Sequence, residues 1–152
     1  MRAITSVVIL AIFSVAFCNM RPLSLKSLQT VPLTIQDIGM TSPDNRLTNY
    51  QGEWTAQPQA GKTVEGDIQA NAILDIHVKE VEVQTKYLGA VVDTTTKPLG
   101  QDVAAGGNLK FKYQQYLARF VPSGAYILLL SFKDANGTVI GSAQVDFNML
   151  PA

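Results

Sequence analysis

The sequence predicts an all-β protein, an immunoglobulin-like antiparallel β-sandwich of about seven to nine strands. Three observations point there. From about residue 31 onward, apolar and polar residues alternate with a period of two, as strands with one buried face require. Gly, Pro and Asn punctuate that alternation at the short intervals of an all-β domain. No stretch combines a 3.6-residue apolar period with helix caps.

Taken in order, Leu33, Ile35 and Ile38 mark a first strand, followed by a turn-rich stretch from Thr41 to Asn49. Trp54 falls in a short strand before Pro58 and Gly61, read as core or as a rim aromatic. Val64 and Ile68 open a segment leading into Leu74, Ile76 and Val78, with Asp75, His77 and Lys79 on the opposite face. At Lys79-Glu80 the phase changes to Val81, Val83 and Tyr87, which a bulge or a tight turn would produce. Gly89 and Lys97-Pro98-Leu99-Gly100 end this part, and Ala104-Ala105-Gly106-Gly107 reads as a flexible link. Leu109, Phe111 and Tyr113 alternate with Lys110, Lys112 and Gln114 in a half-buried antiparallel strand.

The C-terminal third is the clearest. Pro122-Ser123-Gly124 turns the chain, and Tyr126, Leu128, Leu130 and Phe132 then share one face. Ile127 and Leu129 occupy the other, which predicts a strand covered on both sides. Asp134-Ala135-Asn136-Gly137 supplies a hairpin turn, and Val139, Gly141, Ala143, Val145 and Phe147 return, with Ser142, Gln144 and Asp146 facing water.

Arg2 followed by the apolar run from Ile4 to Phe17 has the layout of a secretory signal peptide over residues 1–18, leaving 19–152 as a single domain. Hydrophobic residues make up 47% of the full chain, which is material for one core. Twelve basic and twelve acidic residues balance, so no cationic surface exists to attract nucleic acid. One histidine, His77, and one cysteine, Cys18, leave no metal cluster and no disulfide. Asp67, Asp75, Glu80 and Glu82 are scattered on outward positions, so the expectation is no enzyme, no catalytic residue and no cofactor. Asn136-Gly137-Thr138 is a glycosylation sequon at Asn136.

The string VPSGAYILLLSFKDANGTVIGSAQVDF resembles the ending of the ML lipid-recognition family. Pro122, Gly124 and Tyr126 match its Pro-x-Gly-x-Tyr turn, and Asp134 and Gly137 match its Asp-x-x-Gly hairpin. Gly61 after Pro58, and VEVQTKYLGAVV from Val81 to Val92, resemble its second and third strand regions. The chain departs from the family where members commonly carry a cysteine after the hairpin, since Gly141-Ser142 stands there.

The resemblance implies a secreted or endolysosomal lumenal domain that holds a lipid (sterol, fatty acid, phospholipid or glycolipid) between its sheets, with transient membrane contact for loading and delivery. Candidate walls are Val83, Tyr87, Phe111, Tyr113, Phe120, Tyr126, Leu128, Leu130 and Phe147, with Gly141 and Ala143 as small residues that would leave room opposite the leucine row. Apolar alternation is identical in a filled sandwich and a hollow one. The alternative is therefore an immunoglobulin-like protein-binding or adhesion module with a solid core, which an internal void would argue against.

Overall fold

The computed structural model describes residues 30–152, so the predicted signal peptide and Cys18 lie outside it. Among the described residues the chain forms nine strands: β1 (Val31–Pro32), β2 (Thr34–Asp37), β3 (Leu47–Trp54), β4 (Thr63–Ala72), β5 (Ile76–Tyr87), β6 (Ala90–Val103), β7 (Asn108–Tyr116), β8 (Gly124–Lys133) and β9 (Val139–Met149). All neighbouring strands pair antiparallel, in a four-stranded sheet β1-β3-β4-β7 and a five-stranded sheet β2-β9-β8-β5-β6. The predicted β-sandwich is the observed architecture.

The first strand divides at Leu33. Val31 and Pro32 pair with β3, whereas Thr34 to Asp37 pair with β9, so the chain crosses from one sheet to the other within a few residues. Ile38 is past the strand and exposed. Next, β3 starts at Leu47, inside the stretch expected to be turns. Its pairing with β4 is irregular between Thr48 and Gln51, where Asn49 takes φ 56°, a conformation asparagine tolerates better than most residues. That irregularity turns both Leu47 and Tyr50 inward, which a strict two-residue period forbids.

Leu74, expected to share an inward face with Ile76 and Val78, instead lies in the bend before β5 and is exposed, because β5 begins only at Ile76. The phase change at Lys79-Glu80 occurs within one continuous strand. Pairing with β6 slips between Val78 and Glu80, near Gly100 at φ 57°, and Val78, Val81 and Val83 are all fully buried. The segment from Lys97 to Gly100 is not an ending but part of β6. An edge strand accommodates Pro98, since one side of its backbone has no ladder to donate to. Ala104 to Gly107 is an ordered turn: Gly107 N donates to the Ala104 carbonyl (2.8 Å), Ala105 N to Asp75 Oδ1 (2.8 Å), and Gly106 has φ 82°.

In β8, Tyr126, Leu128, Leu130 and Phe132 all point into the core. Ile127 and Leu129 are only half-buried, because the outer face of this sheet meets solvent and their register neighbours are Lys86 and Asp146, Gln84 and Gln144. At the β8–β9 hairpin Asp134 Oδ1 accepts from the backbone N of Asn136 and of Thr138 (2.9 and 3.0 Å), and Gly137 takes φ 81°. Asn136 is exposed on this turn.

Gly141 does not leave a hollow opposite the leucines. A Cβ built there would fall 2.5 Å from Tyr50 Oη and 2.7 Å from Leu47 Cδ1, so the space is already filled from β3. Tyr50 stacks on Phe132 (6.2 Å between centroids), and its hydroxyl is buried without a hydrogen-bond partner.

Candidate functional site

At the end of the sandwich where β5, β8 and β9 meet the β7–β8 loop, the two sheets part. A cleft of about 360 Å³ opens there, lined by Val64 of β4, Thr85 and Tyr87 of β5, Val92 and Asp93 of β6, Tyr113 and Gln115 of β7, Tyr126 of β8, Phe147 and Met149 of β9, and the loop residues Leu117, Phe120, Val121 and Pro122. Its volume falls within the range of small-molecule sites.

Local sequence explains the opening. Toward the other end, the edge between the sheets is closed by side chains of β6 acting on the free edge of β7. Gln101 Nε2 donates to the Lys110 carbonyl (2.6 Å) while Gln101 Oε1 accepts from Lys110 N (3.3 Å), as a neighbouring strand would. Nearer the cleft, Lys97 Nζ donates to the Gln114 carbonyl (3.3 Å) and lies 5.7 Å from the Tyr113 ring centre. Beyond Lys97, β6 slips again against β5, so that Thr85 pairs with Asp93 and Lys86 with Val91, leaving Val92 extra. A bulge re-aims side chains, which is how the consecutive residues Val92 and Asp93 both reach one cleft.

A chain of aromatic contacts floors the site. Tyr87 stacks on Tyr126 (4.7 Å), Tyr126 on Phe147 (5.7 Å), and Phe147 meets Trp54 edge-on (5.2 Å), which meets Tyr113 edge-on (6.1 Å). Trp54 itself is core, 2% exposed behind this layer. The Pro122-Ser123-Gly124 turn shapes one wall: Tyr126 Oη donates to the Pro122 carbonyl (2.7 Å), Tyr87 Oη to the Ser123 carbonyl (3.2 Å), and Gly124 adopts φ 126°. The rim is apolar and exposed. Phe120 is 88% exposed and Val92 is solvent-facing, while Leu88, next to the lining residue Tyr87 in the β5–β6 turn, is 84% exposed at φ 53°.

Of the residues anticipated as walls, Tyr87, Tyr113, Phe120, Tyr126 and Phe147 border the cleft. Val83, Phe111, Leu128 and Leu130 sit in the closed core, each at most 4% exposed. Val64, Thr85, Val92, Asp93, Gln115, Leu117, Val121, Pro122 and Met149 also line the cleft and were not anticipated as walls. His77 is at the opposite end of β5, solvent-facing, its Nδ1 2.6 Å from Asp102 Oδ1. Lys110 and Lys112 lie on the outer face of the four-stranded sheet. There, with Gln51, Glu53, Asp67 and Gln69, they border a shallower, more open hollow of about 590 Å³ that is part of a charged, solvated sheet face. The described residues hold no group of three or more His, Cys, Asp or Glu able to bind a metal ion.

Burial raises the Tyr50 and Tyr113 phenols above the ordinary tyrosine value, Tyr113 to about 12 with a further contribution from Asp93. An unfolded tyrosine ionises near pH 10, so both groups favour the folded chain below that pH, and the benefit is lost as pH rises from 10 toward the folded values. Stability is expected to fall by about 1.4 kcal/mol per pH unit for each tyrosine above pH 10. Urea melts between pH 9 and 11.5 check this: Tyr50→Phe and Tyr113→Phe should each flatten the alkaline slope, and an unchanged slope refutes it.

The fold and site thus define an immunoglobulin-like β-sandwich with an apolar cleft at one end. No protein-family model matches the sequence, and no curated protein sequence does. Among solved structures, the chain is similar to a Niemann-Pick type C2 protein from Japanese carpenter ant, at 8% identity over 79% of this chain and 92% of that one, with a TM-score of 0.47. It is also similar to chicken MD-1 complexed with lipid IVa, at 12% identity over 80% and 98%, TM-score 0.46. The C-terminal domain of wzt is a third, at 14% identity over 78% and 70%, TM-score 0.48.

Proposed function

We propose that this protein binds the hydrocarbon part of a lipid in the cleft between its sheets and carries it between membranes, after export to the secreted or endolysosomal lumen. The observation that carries this reading is the cleft itself, an apolar space continuous with the core and walled by Val64, Tyr126, Phe147 and Met149. Burying roughly ten methylenes at about 0.8 kcal/mol each gives a gross gain on the order of 8 kcal/mol, from which association subtracts several. The exposed Phe120 at the cleft and Leu88 in the adjoining β5–β6 turn suit transient contact with a bilayer surface. The likeness of the Pro122 to Phe147 string to the ML family points the same way.

A protein-binding module would use the same exposed rim but needs no cleft behind it. Native mass spectrometry of protein secreted from a eukaryotic host, followed by organic extraction, separates the two. A bound lipid mass is expected, together with vesicle-to-vesicle transfer that slows several-fold in Leu88→Asp. An empty chain that also fails to bind the uncharged probe N-phenyl-1-naphthylamine rejects the carrier reading.

A further inference from the structure

Resting on that reading, we infer that the cleft selects amphiphiles with an uncharged, hydroxyl-bearing head and rejects anionic heads such as carboxylates. The lining contains one acidic side chain, Asp93, and no lysine, arginine or histidine. Its other polar groups are neutral: the hydroxyls of Thr85, Tyr87, Tyr113 and Tyr126 and the amide of Gln115. Those of Tyr87 and Tyr126 donate to the Ser123 and Pro122 carbonyls and Gln115 Nε2 donates to the Tyr116 carbonyl (3.3 Å), so the hydroxyls of Thr85 and Tyr113 and the amide oxygen of Gln115 remain beside Asp93 to meet a head group.

The bulge at Val92 fixes this polarity. It brings Asp93 to the mouth opposite Thr85, so a lipid whose tail lies against Tyr126 and Phe147 presents its head to a carboxylate. A hydroxyl can donate to that carboxylate, whereas an ionised carboxylate can only be repelled. Two cations stand near the cleft without lining it: Arg119, exposed in the loop between Leu117 and Phe120, and Lys97, four residues along β6 from Asp93, about 13 Å of strand, whose ammonium donates to the Gln114 carbonyl.

The test uses a matched pair of probes, pyrene-labelled dodecanol and pyrene-labelled dodecanoate, titrated at about pH 8 where the acid is ionised. The alcohol is expected to bind roughly ten-fold tighter to the wild type, an effect of the size one partly screened charge contact produces. Asp93→Asn should shrink the gap to about three-fold or less, chiefly by tightening the dodecanoate, since the alcohol's hydroxyl can still donate to the amide oxygen. Equal or tighter binding of dodecanoate to the wild type overturns the inference, as does an Asp93→Asn variant that moves both probes alike. Loss of dodecanoate binding in Lys97→Met would show that this lysine captures the anion, and overturns it too. If neither probe binds the wild type, the cleft is not a lipid site, and the proposed function falls along with the selectivity.

Discussion

Replacing Gly141 with alanine is expected to destabilise the protein by about 3 kcal/mol, roughly a 10 °C fall in Tm, although an alanine in a strand ordinarily outperforms glycine. The added methyl would lie 2.5 Å from Tyr50 Oη, 2.7 Å from Leu47 Cδ1 and 2.9 Å from Leu47 Cβ. Leu47 Cβ is tied to the backbone and cannot swing aside, and Leu47 is fully buried. Tyr50 can yield part of the space if its hydroxyl is removed. Tyr50→Phe alone should lie within about 0.5 kcal/mol of wild type, because the deleted oxygen is buried without a partner. In the Gly141→Ala background the same change should recover about 1 kcal/mol, a coupling that a double-mutant cycle by urea denaturation measures. A Gly141→Ala protein as stable as wild type, or a cycle with no coupling, refutes this account of the site.

The second large effect concerns the cleft. Thr85→Trp should reduce binding of pyrene-labelled dodecanol more than ten-fold while changing stability by less than about 1 kcal/mol. Thr85 is half-buried in β5 and borders the cleft without being part of the sealed core, so an indole can fill much of the 360 Å³ without displacing packed neighbours. Fluorescence titration and a thermal melt on one preparation report both quantities. Retained binding in a folded Thr85→Trp variant would place the ligand elsewhere.

The two halves of the site differ in how they appear in sequence. Tyr126 and Phe147 are visible because Tyr126 to Phe132 and Gly141 to Phe147 alternate without interruption, although a bulge next to the hairpin turns Val139 outward and Ile140 inward, against the sequence expectation. Asp93 and Val92 are not. They sit in a Thr-rich segment containing Pro98 and Gly100, whose strand character depends on pairing with β5 through two slips in register. Thr85 gives a faint signal, as a polar residue on the inward phase set by Val81 and Val83. Likewise β3 is hidden because its inward residues, Leu47, Tyr50 and Trp54, are not spaced by two.

By itself, the order of residues settled which side chains turn inward along β7, β8 and, from Gly141 onward, β9, and hence that two antiparallel layers share one core, because alternation follows from local backbone geometry. How far apart those layers stand was decided only in three dimensions. Val83 and Leu130 follow the same pattern as Tyr87 and Tyr126, yet the first pair is sealed within the core and the second borders open space. The distinction comes from contacts distant in sequence: Gln101 closing the edge of β7, Tyr50 occupying the room beside Gly141, and a bulge between Thr85 and Lys86 that brings both Val92 and Asp93 to the cleft.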